Sequence, residues 1–188
     1  MKSNTVEKLS KRLNQSTENV GAQAAVVLLL REKVHGFEVL LVKRAEKETD
    51  PWSGQIALPG GKRDRADKDI KETAVRETVE ETSINLLEGS TFWGAMEAVR
   101  STQKPEMQIV PFVFFEQKQQ PIELNEELTG YFWTQLKELP KNRGTLTYKG
   151  KEHPTYVLKG SVVWGLTYKI LSSFLLLLET FDGTGNSS

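Results

Sequence analysis

The chain has no cysteine among its 188 residues. A disulfide framework, a zinc–thiolate centre and a cysteine nucleophile are therefore excluded, although the lack of cysteine does not by itself fix the compartment. Net charge is missing too, because 25 basic and 25 acidic residues cancel. Such a chain has no global field to draw it to nucleic acid or to an anionic membrane, so any attraction for phosphate has to be local. Long apolar runs are also lacking. The opening MKSNTVEKLSKRLNQSTENV contains no continuous apolar core. The run FLLLL near the C-terminus is far shorter than the ~20 residues that a membrane-spanning helix needs. The expectation is a soluble, cytoplasmic protein with neither a nucleic-acid nor a membrane partner. Histidine is scarce, and His35 and His153, far apart in turn-like contexts, are given no role. Chemistry has to come from other oxygen and nitrogen groups.

What is present reads as one domain, the default for a chain of this length. Residues 1–20 form a polar arm with a short helix from about Asn4 to Leu13, residues 21–180 form the domain, and 181–188 a disordered tail. AAVVLLL (24–30) and FEVLLVKR (37–44) are strand patterns, with Gly36 breaking the turn of a hairpin between them. The segment from Ala45 to Asp69 is rich in Gly and Pro and reads as loop. A helix follows from Asp69, a suitable N-cap with Glu72 three residues later, to about Thr82. STFWGAMEAV, MQIVPFVFFEQ and TGYFWTQL supply further strands, and VVWGLTYKILSSFLLLLET reads as one long, mostly buried helix. The mixture predicts an α/β fold, a mixed β-sheet covered by helices on two faces.

The charged stretch ETAVRETVEET holds three glutamates in five positions: Glu77, Glu80 and Glu81. Like charges three or four apart destabilise a helix by about 0.2–0.5 kcal/mol per pair, so something should offset them. Arg76, four residues before Glu80, could build an ordinary chain of ion pairs on a solvated face. A hard divalent cation is the other candidate, since Mg2+ is commonly held by one or two carboxylates plus substrate phosphates. On a wheel of about 100° per residue, Ala74, Val75, Thr78, Val79 and Thr82 share one face, and the glutamates fall in a sector beside it. Just upstream, LPGGK places Gly60 and Gly61 where backbone can approach a ligand or metal closely.

This stretch resembles the Nudix box, G-x5-E-x7-R-E-U-x-E-E-x-G-U. Gly61 supplies the opening glycine, Arg76 and Glu77 the R-E, Glu80 and Glu81 the E-E, and Ile84 the last aliphatic. Fourteen residues rather than thirteen separate Gly61 from Arg76, Lys68 occupies the early glutamate position between Asp67 and Asp69, and Thr78 and Ser83 replace an aliphatic and a glycine. The longer loop, with an aspartate at Asp67, is similar to the coenzyme A diphosphatase branch of the family. LLVKRA and VVWGLTYKIL resemble that branch's LLTxRA strand and WGAT helix, and EELTGYFW, from Glu126 to Trp133, is similar to an acidic-then-aromatic strand late in many Nudix domains. The branch's arginine before the GxxFPGG segment is replaced near Thr49 or Asp50. The proline that marks ADP-ribose enzymes is absent, with Arg100 in its place and Pro105 too late.

The resemblance implies a Nudix-type α/β/α sandwich and a metal-dependent pyrophosphohydrolase. Glu77, Glu80 and Glu81, with the Gly61 carbonyl, are implied to hold Mg2+ or Mn2+, with Arg76 orienting a glutamate. Lys43, Arg44, Gly60 and Gly61 are the candidates for substrate binding. The implied partner is a small nucleoside diphosphate derivative, coenzyme A or a relative of it first. ADP-ribose or another nucleotide, or a nucleotide-binding module without turnover, remain alternatives. A homodimer is left open.

Overall fold

The computed structural model describes residues 9–16, 21–34, 36–49, 52–101 and 104–182. The remainder of the expected arm, His35, Asp50 and the expected tail from residue 183 lie outside them. In the arm, residues 9–12 are helical, and Leu9 and Leu13 are buried in the core.

The first strand, β1 (Ala24–Lys33), pairs antiparallel with β2 (Gly36–Arg44) through the hairpin at its far end. Its apolar run is continuous because both faces are covered. Leu28 and Leu30 enter one core cluster, while Ala25, Val27 and Leu29 enter the other. Each Leu buried in this way stabilises the fold by roughly 1.5–3 kcal/mol. The stretch read as loop contains two short strands, β3 (Ile56–Ala57) and β4 (Gly60–Lys62). Strand β3 pairs with β2, and β4 pairs with β1. They are too short to carry a periodic pattern, and only pairing with strands already in place defines them.

Helix α1 (Ile70–Thr82) begins at Asp69, whose carboxylate accepts the Glu72 amide at 2.7 Å, as the sequence predicts. A one-turn helix, α2 (Leu86–Gly89), leads into β5 (Ser90–Ala95) and β6 (Val99–Arg100). Strand β7 (Gln108–Glu116) runs parallel to β1 and antiparallel to β5 and β6, which makes the sheet mixed. Strand β8 (Leu128–Gln135) closes onto β2, completing eight strands.

Helix α1 covers one face of this sheet, with Ile70 and Ala74 in the core beneath it. The other face is covered by α3 (Gly165–Asp182) together with a separate three-stranded antiparallel sheet: β9 (Arg143–Tyr148), β10 (Lys151–Leu158) and β11 (Ser161–Trp164). Two corrections follow. The segment VVW belongs to β11, and the C-terminal helix starts only at Gly165, where φ is +62° and the chain turns. The sheet β9–β11 has no counterpart in the sequence expectation, because its outward face carries Tyr148, Val157 and Val162 partly exposed and blurs the alternation.

Candidate active site

The buried stripe of α1 is Ile70, Thr73, Ala74, Thr78, Glu81 and Thr82. It is rotated from the expected face: Val79 is 39% exposed, whereas Thr78 and Glu81 are buried. Threonine takes the inward positions because its hydroxyl can bond back along the helix. Thr78 Oγ1 donates to the Ala74 carbonyl at 2.8 Å and Thr82 Oγ1 to the Thr78 carbonyl at 2.6 Å. The rotation carries Glu81 under the sheet edge instead of leaving it in solvent.

Glu81 meets the β3–β4 turn there. The Gly60 amide donates to Glu81 Oε2 at 2.9 Å, and Arg44 Nη1 stands 3.9 Å from Glu81 Oε1. Backbone sterics require glycine at position 60, and a side chain at position 61 would displace the Glu77 carboxylate. A Cβ on Gly60, at φ +140°, would collide with the Ala25 backbone, and one on Gly61 would fall on the Glu77 carboxylate. Burial pushes the Glu81 carboxyl up to about 7, against the pull of the Gly60 amide and Arg44, and the neighbouring charges of Glu77 and Glu127 push the same way. Glu77 is also raised, first by burial.

The outer side of the helix is organised by Arg76. Its Nε and Nη2 fork onto Asp67 at 2.9 and 3.0 Å, Nη1 donates to Glu77 Oε1 at 2.9 Å and to Glu80 Oε2 at 3.1 Å, and Nη2 also reaches the Lys62 carbonyl at 3.1 Å. Asp67 further accepts from Thr73 Oγ1 and from the Asp64 amide, each at 2.8 Å. Its carboxyl is held well below the usual range, chiefly by the Arg76 hydrogen bonds, and Arg76 is raised in turn.

Gly60, Gly61, Arg44, Glu77, Glu81 and Glu127 line one open pocket of about 550 Å³. The other sequence candidates lie elsewhere. The Glu80 side chain is 54% exposed, on the rim against Arg76. Arg76 braces Glu77 from behind. Lys43 leaves the strand on the opposite face from Arg44, as alternation dictates, and lines a second pocket with Tyr148 and Trp164. Two residues were not singled out as site residues from sequence. Asp67 is the partner that fixes Arg76, and the extra residue in the Gly61–Arg76 loop was its signal. Glu127 immediately precedes β8, and the acidic pair Glu126–Glu127 before an aromatic strand was the clue.

A divalent cation fits this donor set. Two half-buried to buried carboxylates, Glu77 and Glu81, flank a glycine turn with room only for backbone, and burial leaves their negative charge under-compensated. Oxygen donors of this kind suit Mg2+ or Mn2+. Among the described residues, no three acidic or histidine side chains already enclose an ion. Glu77 is turned to Arg76 and Glu81 to the Gly60 amide.

The NUDIX domain family matches residues 21–153. An uncharacterised protein of Schizosaccharomyces pombe is 39% identical over 107 residues, which are 54% of this chain and 32% of the relative; this chain thus spans about a third of that protein's length. The human mitochondrial coenzyme A diphosphatase NUDT8 is 32% identical over 166 residues, covering 82% of this chain and 69% of that protein. Among solved structures, a C. elegans Ap4A hydrolase has a TM-score of 0.53 at 21% identity, covering 63% of this chain and 84% of its own. That likeness is one of fold. With the domain match running over well more than half of the sequence and the arginine-braced glutamates set against the glycine turn, the chain belongs to the NUDIX domain family.

Proposed function

We propose that the protein hydrolyses the pyrophosphate bond of a nucleoside diphosphate linked to a second moiety, with coenzyme A or a derivative as the preferred substrate. The observation that carries the reading is the placement of Glu77 and Glu81 against the Gly60–Gly61 turn in an open pocket that also holds Arg44. The coenzyme A preference is supported by the likeness to the human coenzyme A diphosphatase over 82% of this chain.

Glu77, Glu81 and the Gly61 carbonyl would hold Mg2+ or Mn2+, with Glu80 contributing from the rim. Such an ion, when bound, supplies Lewis-acid polarisation of phosphoryl oxygen and lowers the pKa of a water. The chain's own residues do the rest. Arg76 fixes Glu77 and Glu80 so that neither has to be ordered during the reaction. Arg44 presents a guanidinium to a substrate phosphate. Glu127 accepts the proton from the attacking water as its oxygen bonds to phosphorus. The bond from phosphorus to the bridging oxygen breaks, and the departing phosphate keeps the electron pair. A positioned base of this kind is worth about 10²–10⁴-fold.

The test is a side-by-side panel of pyrophosphate-linked nucleotides with Mg2+ or Mn2+ and product separation. Coenzyme A should yield a 3',5'-nucleotide and phosphopantetheine. Equal or faster cleavage of ADP-ribose, diadenosine polyphosphates or nucleoside triphosphates would reject the coenzyme A preference, and no cleavage of any member would reject the hydrolase reading.

A further inference from the structure

The pocket that holds the glutamates is also lined by residues that contribute nothing to the bond-breaking step. They include Trp52, half-buried, and Ser101, Lys104 and Met107. The last three are tied to one another. Ser101, 2% exposed, accepts the Lys104 amide on its hydroxyl at 3.2 Å, the Met107 amide donates to the Lys104 carbonyl at 2.9 Å, and the Ser101 amide donates to the Met107 carbonyl at 3.1 Å. The Lys104 ammonium lies 5.5 Å from the centre of the Trp52 ring. Among the described residues, Lys104 has no carboxylate partner. Met107, Ile109 and Leu166 provide apolar wall beside it.

The pocket thus combines the half-buried Trp52 indole, an apolar wall and a lysine without a carboxylate partner among the described residues, together with the carboxylates of Glu77 and Glu81. A flat aromatic face beside a cation is the arrangement that stacks a base and grips its phosphate. At 5.5 Å the cation–ring attraction is weak, so an arriving phosphate draws the ammonium away at little cost. We infer that Trp52 and Lys104 form the nucleoside subsite: Trp52 stacks on the base, and Lys104 binds a phosphate carried on the ribose. The pocket then favours nucleoside diphosphates bearing that additional phosphate over those with a bare ribose. The inference rests on the proposed nucleoside diphosphate chemistry, and it adds a reason for selectivity within that class.

Calorimetry with adenosine 3',5'-bisphosphate and with AMP tests it without any need for turnover. In the wild type the bisphosphate should bind about tenfold more tightly, the worth of one charge-assisted phosphate contact. Lys104→Ala should bring the bisphosphate down to the level of AMP. Trp52→Ala should weaken both ligands by roughly tenfold, and Trp52→Phe should restore most of the loss, which a folding defect at this position would not. Equal affinities in the wild type, or a preference that survives in Lys104→Ala, would overturn the subsite. Discriminating binding in a protein that cleaves nothing would leave the subsite standing and remove the hydrolase reading instead. Cleavage of coenzyme A with no discrimination between the two ligands would do the reverse.

Discussion

Asp67 and Glu81 are almost equally buried, at 6% and 3% exposure, yet they hold their protons in opposite ways. Asp67 faces a guanidinium that forks onto both of its oxygens, with a hydroxyl and an amide completing the shell. That shell more than offsets burial, and the carboxyl is held charged. Glu81 has one amide and a guanidinium 3.9 Å away. Burial wins there and the proton is retained up to about 7. One group is finished by the fold, and the other is left short of positive charge at the edge of the pocket. The difference separates a structural brace from the site proposed to take a cation.

The largest effect should come from breaking the unfinished side. With saturating Mg2+, Glu81→Gln and Glu77→Gln should each lower kcat by at least ~10²-fold, the low end of what a positioned carboxylate contributes. Glu80→Gln, on the rim, should lose less than about tenfold. Rates within twofold of wild type for all three would leave the metal site without support.

Breaking the finished side should cost stability. Arg76→Ala leaves Asp67 buried and unpaired and should destabilise the protein by about 3 kcal/mol in urea unfolding, whereas Arg76→Lys, which keeps the charge but not the fork, should lose less. An unchanged midpoint in Arg76→Ala would mean that the cluster relaxes into solvent.

A pH series sharpens the contrast, because the two groups have opposite sign. Glu81 releases its proton near 4.5 in the unfolded chain and near 7 in the folded one. Its contribution is therefore full below about 4.5 and lost as pH rises towards 7, and Glu77, also raised, adds in the same direction. Asp67 contributes above its unfolded value of 3.8 and fails only as pH falls below it. In chelator, the thermal midpoint should fall by on the order of 5 °C between about pH 5 and 7.5. Glu81→Gln should flatten most of that slope, and Mg2+ should restore the midpoint more at the upper pH than at the lower. A slope unaffected by the substitution would assign it to other groups.

The smallest effect is expected at Ser83, where the box has glycine. Ser83 ends α1 in the left-handed region, at φ 60°, as its position predicts. Its hydroxyl also donates to the Glu123 carbonyl at 3.2 Å, pinning the helix end to the segment before β8. Relief of roughly 1 kcal/mol of strain in Ser83→Gly is offset by loss of a hydrogen bond of similar size. The urea midpoint should hardly move, and kcat should stay within twofold. A tenfold loss of turnover would place the Ser83–Glu123 link in the catalytic geometry.

Legibility in the sequence followed the range of the interactions. The hairpin of β1 and β2, the Asp69 cap and the left-handed end at Ser83 are set by neighbours within a few residues, so their signals lie in short windows. Sheet β9–β11 escapes the sequence reading although two-residue Lys-Gly turns at 149–150 and 159–160 close its hairpins, because its outward face is not polar and masks the alternation. Val79 was misplaced inward for a related reason. Hydrophobicity alone ranks it above threonine, but the threonines satisfy their hydroxyls on the helix and tolerate burial.

By itself the sequence determined the composition of the site: three glutamates and an arginine on one helix, and two glycines at the turn before it. Spacing within a helix is rigid, so a one-dimensional pattern was enough to place those side chains near one another. Only the tertiary structure decided their separate fates. It buried Glu81 under the sheet edge, gave Arg76 to Asp67, left Glu80 on the rim, sent Lys43 to another pocket and brought Glu127 and Trp52 in from distant loops. Burial and charge compensation depend on what chain-distant segments pack overhead, and no local spacing encodes that.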